Sequence, residues 1–263
     1  MPLSPSLDTA GFLALNAEAI AEAFIAVDDP TERDAEFIRR VWPGRIHGLQ
    51  LGVARQAFEG VESGIGDVIE RALKELEAAG AVLRDVTLPE FDDAEALFKV
   101  GGVAGIEFAA SINNDLPEWR DNLDPNVKAR FAAIEQATAG EYLSRMSALS
   151  KMQAGAARRM NEIGIDALAG PTVPISPPTI QEVADADRYV NRNMLALRNT
   201  MHGNFLKLAG FTIPAGIDEI GMPAGLQIMT RAGSDIYAMG LLLAFERVLG
   251  HPYDRLGKPP KIA

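Results

Sequence analysis

The chain has 263 residues, of which 48% are hydrophobic and 23% are charged, a composition typical of a folded globular protein rather than a disordered one. Its formal net charge of -11 argues against a nucleic-acid partner, because such binding draws on clustered Lys and Arg side chains. The absence of cysteine excludes disulfides and thiol nucleophiles and fits a reducing compartment. The N-terminus does not resemble a secretory signal, and no segment approaches the ~20 apolar residues of a membrane span. We therefore expect a cytoplasmic protein that binds neither membranes nor nucleic acid.

The first part of the chain predicts a strand, a helix and a second strand in succession. An Ala-rich helix over 16–27 precedes this unit and ends before a proline. A short buried strand is predicted at 49–54, and apolar residues at helical spacing predict a helix over 68–79 that stops at Gly80. A second strand follows at 81–88. Strand, helix and strand at this spacing favour a parallel pair joined by a right-handed crossover.

The second part of the chain alternates helices and strands around a proline-rich loop. Asp124 with Pro125 predicts the start of one helix, and Thr138 with Glu141 predicts a capping box that starts another, which runs to about residue 162. Four prolines between residues 171 and 178 preclude regular structure, so this loop is a fixed surface feature or the wall of a pocket. The other predicted elements are a helix over 94–115, a strand at 165–169, a helix over 192–208, strands at 211–216 and 224–229, and a helix over 235–249. Strands alternate with helices without a convincing linker, so we expect one α/β domain over residues 1–263.

The residue patterns by themselves do not assemble an active site. A Ser-His-Asp hydrolase of the α/β type needs a G-x-S-x-G elbow, which the sequence lacks. The histidines, His47, His202 and His251, are too scattered to resemble a metal-binding set. His202 lies in a predicted helix, where a partly buried structural histidine is favoured over a catalytic or ligand role.

Two weaker signals also favour structural roles. Gly64 and Gly66 follow a predicted strand, but Ile69 stands where a dinucleotide fingerprint has its third glycine. Ser147 and Lys151 lie four residues apart on a predicted helix, where a solvated surface is favoured over a Ser-Lys dyad. A nucleotide-dependent α/β enzyme is therefore the weakest of the functional alternatives.

Three stretches in a fixed order give the sequence its one specific signal. They are PLSPSLDTAG at residues 2–11, DALAGPTVP at 166–174, and a third stretch from Asn204 to Gln227 that contains AGFTIPAG and GMPAGLQ. Together they resemble the C-terminal portion of the amidase signature family, whose members hydrolyse amides with a Ser-Ser-Lys triad. Phe211, Thr212 and Met222 depart mildly from the leucines and small residues that the family usually has.

The resemblance implies a fold and a set of candidate residues. In the family, a mixed β-sheet is flanked by helices, and the catalytic lysine and both serines precede the Pro-Leu-Ser segment. The resemblance therefore implies that this chain carries no catalytic residue, no metal and no organic cofactor, and that Ser4 and Ser6 hold structural positions. It also implies that the loops of this half wall the acyl pocket, with four candidate substrate-binding residues, Thr172, Ser176, His202 and Asn204.

The leading functional expectation is an amidase-family hydrolase of carbon–nitrogen bonds, present as a fragment or split subunit that is inactive alone. Its expected partners are a small amide substrate, once a catalytic half completes the site, and either an N-terminal amidase chain or a second copy. A truncated mixed sheet exposes a strand edge and apolar surface, and both invite association. The alternative from another class is a catalytically silent small-molecule-binding or scaffolding protein derived from the amidase fold.

Overall fold

The computed structural model describes residues 3–38, 46–62 and 64–258. The strands are β1 (Gln50–Ala54), β2 (Val82–Val86), β3 (Ala167–Pro171), β4 (Ala209–Ile217) and β5 (Pro223–Thr230). The helices are α1 (Ala17–Asp28), α2 (Glu32–Glu36), α3 (Ile65–Ala78), α4 (Pro89–Lys99), α5 (Ala104–Asp115), α6 (Pro125–Ile134), α7 (Ala139–Glu162), α8 (Ala186–Phe205), α9 (Asp235–Leu249) and α10 (Pro252–Leu256). Within these ranges, no helix combines the length and apolar character that crossing a bilayer requires.

The strands form one mixed sheet in the order β2-β1-β3-β5-β4. β1 runs parallel to both β2 and β3, with Val53 opposite Asp85 on one side and Ala169 on the other. β5 runs antiparallel to both β3 and β4. The predicted parallel pair and the expected mixed sheet flanked by helices are both confirmed.

Alternating side chains of the sheet supply two helix-covered cores. On one face, Leu51 and Val53 join the buried side of α1, α3 and α9. On the other face, Ala54 and Leu168 join α4, α7 and α8. A side chain at Gly52 would meet Ile165 Cδ1 at 2.7 Å, so glycine is what allows close packing at the middle of β1.

The helix predicted over 94–115 is two helices, and the break has a local cause. Gly101 and Gly102 have φ angles of 89° and 56°, a left-handed conformation that ends α4. α4 also starts earlier than expected, because Pro89 occupies its first turn, where a missing N–H costs nothing. The predicted capping box of Thr138 and Glu141 is confirmed at the start of α7. α8 begins before the predicted residue 192, since the side chain of Asp185 caps it by accepting a hydrogen bond from the Arg188 N–H.

Candidate functional site

The carboxyl ends of β1 and β3 lie beside one another under α8. Asn199 of α8 is 1% exposed, and its Nδ2 donates to the carbonyl oxygens of Ala57, at 3.0 Å, and Pro171, at 2.7 Å. These carbonyls follow β1 and end β3, so one carboxamide fixes the helix across both strand ends. In open α/β sheets, ligands bind at the carboxyl ends of the strands.

A group of polar side chains lies next to these strand ends. We call it the sheet-end cluster, and it consists of Thr172, Thr212 and Gln227. The Oγ1 atoms of Thr172 and Thr212 are 3.1 Å apart, and both the N–H and the hydroxyl of Thr172 donate to the carbonyl oxygen of Gly225. Gln227 is the register partner of Thr212 across β4 and β5. Its carboxamide has no hydrogen bond to any other described residue and so keeps its donor and acceptor capacity.

Gly225 sets the spacing of the sheet-end cluster. A Cβ atom there would lie 2.6 Å from Cγ2 of Thr212 and 3.0 Å from Oγ1 of Thr172. Any larger residue would therefore push the two hydroxyls apart.

Ser176 lies in the proline-rich loop, and its hydrogen-bond partners lie outside the sheet-end cluster. It is 7% exposed, its Oγ donates to Oδ2 of Asp218 at 2.5 Å, and its N–H donates to Oε2 of Glu62 at 2.7 Å. Burial raises the pKa of Asp218, but hydrogen bonds from Ser176 and from backbone N–H groups outweigh it, so the pKa lies below its ordinary value. Ser176 therefore fastens the proline-rich loop to the β4–β5 connection and to the segment after β1.

His202 lies inside the helix layer. Its side chain is fully buried, and its ring stacks on Phe91 of α4 with 4.0 Å between ring centroids and a 10° angle. Neither ring nitrogen has a hydrogen-bond partner within the described ranges, and Oε1 of Glu95 is 3.5 Å from Nε2. Burial, with a smaller contribution from the charge of Arg198, lowers the pKa of His202 to about 4. The imidazole is thus neutral and closed to solvent, in line with the structural role that the sequence favoured.

Asn204 and the two N-terminal serines belong to a different region, where the chain start meets the helices. Nδ2 of Asn204 donates to the carbonyl oxygen of Leu7 at 2.5 Å. Ser4 and Ser6 donate their hydroxyls to Glu107, at 2.6 and 2.5 Å. Of the four residues predicted to bind substrate, the structure therefore places only Thr172 in the sheet-end cluster, and no hydrogen bond joins the side chains of any two of them.

Several functional candidates had little or no signal in the sequence. Gln227 was visible only as part of the GMPAGLQ stretch, while Asn199 and Glu107 sit in predicted helices with nothing nearby to distinguish them. The serine partners of Glu107 are 101 and 103 residues away in the sequence, and its third partner, Tyr142, is 35 residues away. Such contacts follow from the fold and could not be read from local spacing. The described ranges also contain no group of three His, Asp or Glu side chains that could hold a metal ion.

The mixed sheet between two helix layers, with Thr172 directly after the parallel strand β3, defines a layered α/β protein. A protein-family model described as Amidase matches residues 1–237, and the chain therefore belongs to the amidase family, as the three ordered stretches implied.

Two solved structures share the fold. A crystal structure of an amidase matches with a TM-score of 0.77 and 22% identity over 95% of this chain and 55% of that one. The structure of 6-aminohexanoate cyclic dimer hydrolase complexed with substrate matches with a TM-score of 0.76 and 18% identity over 94% of this chain and 55% of that one.

Two curated relatives show how much of a family member the chain spans. It is 35% identical over 260 residues to 2-amino-5-chloromuconic acid deaminase of Comamonas testosteroni, covering 98% of this chain and 55% of the deaminase. It is 22% identical over 267 residues to indoleacetamide hydrolase of Agrobacterium vitis, covering 95% of this chain and 56% of that hydrolase. The chain thus spans just over half the length of these relatives.

Proposed function

We propose that residues 1–263 form, as one domain, the substrate-facing part of an amidase-family hydrolase of carbon–nitrogen bonds, and that the serine nucleophile and its lysine base act from polypeptide outside these residues. The chain alone then does not turn over an amide. The family match over residues 1–237 carries the proposal, together with the partial coverage of the relatives.

The environment of Ser4, Ser6 and Ser176 supports the location of the nucleophile outside these residues. A nucleophilic serine needs a neighbouring base that can take its proton. Ser4, Ser6 and Ser176 instead donate to the carboxylates of Glu107 and Asp218. Both carboxyl groups have a pKa held below the ordinary value, which makes each carboxylate a weak proton acceptor. These serines therefore stabilise loops rather than attack substrate.

The sheet-end cluster supports the substrate-facing role. A secondary amide presents one N–H donor and one carbonyl acceptor, a primary amide presents two N–H donors, and hydroxyl and carboxamide side chains can pair with both kinds of group. Thr172 offers such a group directly after β3, at the carboxyl end where α/β proteins bind ligands, and Thr212 and Gln227 offer such groups within the neighbouring antiparallel strands β4 and β5. The deaminase of Comamonas testosteroni is named for a small amino-substituted dicarboxylic acid, so small acids with a carbon–nitrogen bond are the first substrates to test.

Treatment of the folded chain with a fluorophosphonate probe, followed by intact-mass measurement, tests the location of the nucleophile. We expect no adduct on a sample whose circular dichroism shows folded protein, while the full-length Comamonas testosteroni deaminase serves as the family control. A stoichiometric adduct that disappears in Ser4→Ala, Ser6→Ala or Ser176→Ala would overturn the proposal.

Calorimetric titration distinguishes the alternative, a catalytically silent binding or scaffolding protein. Such a protein binds a small amide or carboxylic acid with the chain alone, at an affinity that Gln227→Ala lowers. The hydrolase proposal expects measurable binding only when an amino-terminal amidase chain completes the pocket. Tight binding by the isolated chain would therefore favour the silent module.

A further inference from the structure

The hydroxyl of Thr172 has a fixed direction of donation. A carbonyl oxygen can only accept a hydrogen bond, so the 3.0 Å contact between Oγ1 of Thr172 and the carbonyl oxygen of Gly225 uses the proton of the Thr172 hydroxyl. A hydroxyl carries one proton and two lone pairs. Oγ1 of Thr172 can therefore only accept in its other contacts.

The neighbouring hydroxyl of Thr212 must then donate to Thr172. Their Oγ1 atoms are 3.1 Å apart, and the proton of Thr172 is already directed at Gly225, so Thr212 is the donor in this contact. Both hydroxyl protons therefore point into the protein. Within the described ranges no other residue donates to Oγ1 of Thr212, so this exposed residue keeps both lone pairs available to a ligand.

The backbone holds this arrangement in place. The peptide group between Pro171 and Thr172 is planar, and it is hydrogen-bonded on both sides. The carbonyl oxygen of Pro171 accepts from Nδ2 of Asn199 at 2.7 Å, and the N–H of Thr172 donates to the carbonyl oxygen of Gly225 at 2.9 Å. Reversing the two hydroxyls would break the bond from the Thr172 hydroxyl to Gly225, so the direction with both protons inward is the stable one.

Gln227 supplies the donor that the two threonines lack. It is the register partner of Thr212, and directly opposed side chains on one face of an antiparallel pair lie close together. Its carboxamide offers one acceptor oxygen and two N–H donors. The sheet-end cluster therefore presents three acceptor oxygens, donates only through Gln227 and contains no positively charged side chain.

We infer that the sheet-end cluster recognises the N–H groups of a ligand and disfavours its carboxylates. This inference deepens the proposed function and rests on it, because it takes the sheet-end cluster as facing the substrate. A carboxylate can only accept hydrogen bonds, and here it would face hydroxyl oxygens that also only accept. A primary amide fits, because its NH2 group can donate to Thr212 while its carbonyl oxygen accepts from Gln227.

The direction of the hydroxyls also sets the orientation of a substrate. A small acid with a carbon–nitrogen bond should place its nitrogen-bearing end at the sheet-end cluster and its carboxylate elsewhere. Hydrolysis turns a primary amide and water into a carboxylate and ammonia, so the acid product loses the contact with Thr212 that the amide made. The sheet-end cluster therefore favours the substrate over the product.

NMR titration of the whole chain with three probes of similar size tests this preference, with the carboxamide signals of Gln227 as the readout. The probes are propionamide, propylammonium and propionate. We expect half-saturation by propionamide at a concentration about fivefold or more below that of propionate, which corresponds to one net hydrogen bond. Shift changes report dissociation constants above about 1 mM, so they detect contacts too weak for the calorimetric titration. Equal half-saturation by the two probes would overturn the inference.

Propylammonium distinguishes the two chemical sources of N–H donors. It should also bind more tightly than propionate, and its order relative to propionamide shows whether a charged or a neutral N–H group fits better. Binding of propylammonium no tighter than that of propionate would overturn the inference.

Variants of Thr212 separate the hydroxyl from the overall charge. Thr212→Val keeps the shape but removes the hydroxyl, so the preference for propionamide should fall below about twofold, whereas Thr212→Ser should retain it. Thr87→Val, at an exposed threonine after β2 on the opposite edge of the sheet, is the matched control and should change nothing. The net charge of -11 disfavours propionate equally in all these variants. An undiminished preference in Thr212→Val would therefore reflect charge and overturn the inference.

The proposed function stands or falls on different results. A probe adduct on Ser4, Ser6 or Ser176 would overturn the location of the nucleophile and leave the order of the three NMR probes intact. Equal binding of propionamide and propionate by a chain that forms no adduct would instead overturn the preference for N–H groups and leave the location of the nucleophile unaffected.

Discussion

At the scale of single residues, His202 is a buried polar side chain whose effect on the free energy of unfolding depends on pH. Its imidazole is fully buried against Phe91 without a hydrogen-bond partner in the described ranges. The carboxylate of Glu95 would favour a protonated ring, but burial and the charge of Arg198 prevail and lower the pKa of His202 to about 4. The native state therefore keeps the neutral ring well below the pH at which an unfolded chain protonates it.

We expect the free energy of unfolding to fall on acidification because of the shifted pKa of His202. Above pH 6.5 the imidazole is neutral in both states, and between pH 6.5 and 4 only the unfolded state gains the proton. The free energy of unfolding should then fall through this window, by an amount on the order of 3 kcal/mol at its lower end. Urea unfolding at several pH values measures this. His202→Phe should flatten the dependence. Parallel curves for His202→Phe and the wild type would contradict the assignment.

At the scale of elements, the proline-rich loop after β3 is held by polar contacts rather than by its prolines alone. Ser176 joins it to Asp218 and to Glu62, and the Glu62 N–H donates to the carbonyl oxygen of Pro174 at 2.9 Å. Glu62 also pairs with Arg192 of α8 at 2.5 Å. The loop, the β4–β5 connection and α8 therefore share one hydrogen-bonded network.

Ser176→Ala should loosen this loop locally. It removes the hydroxyl that Asp218 accepts from but leaves the backbone donors of Ile220 and Met222, so the expected loss is about 1 kcal/mol of unfolding free energy. Hydrogen exchange should rise in peptides that cover residues 172–178 more than in β3. Thr179→Ala, which removes an exposed contact to Glu182 in the same loop, is the control. Equal exchange in the two variants would show that the buried bond to Asp218 does not hold the loop.

The elements themselves were largely predictable from the sequence, while the contacts between them were not. Glycine stops, the capping box and the spacing of apolar residues located most helices and strands, because these signals act over a few residues. Gly101-Gly102 was a local signal for a break, but the prediction of one helix gave more weight to the apolar spacing over 94–115. The role of Asn199 depends on carbonyls that chain topology brings to it, so no local spacing could indicate it.

At the scale of the whole molecule, the exposed segment of residues 8–15 should make the isolated chain associate. Leu13 is fully exposed and Leu15 is 69% exposed, and neighbouring exposed apolar side chains favour contact with another surface. Light scattering should give a mass above the 28.2 kDa of one chain, and the double variant Leu13→Lys with Leu15→Lys should shift the mass towards that value, because it replaces apolar contact area with charge. Val27→Lys, at an exposed position of α1, controls for added charge alone.

If the amino-terminal amidase chain covers this segment in the complete site, adding that chain should also disperse the self-associated form. A wild-type chain that stays monomeric at all concentrations would show that the exposed leucines do not drive association.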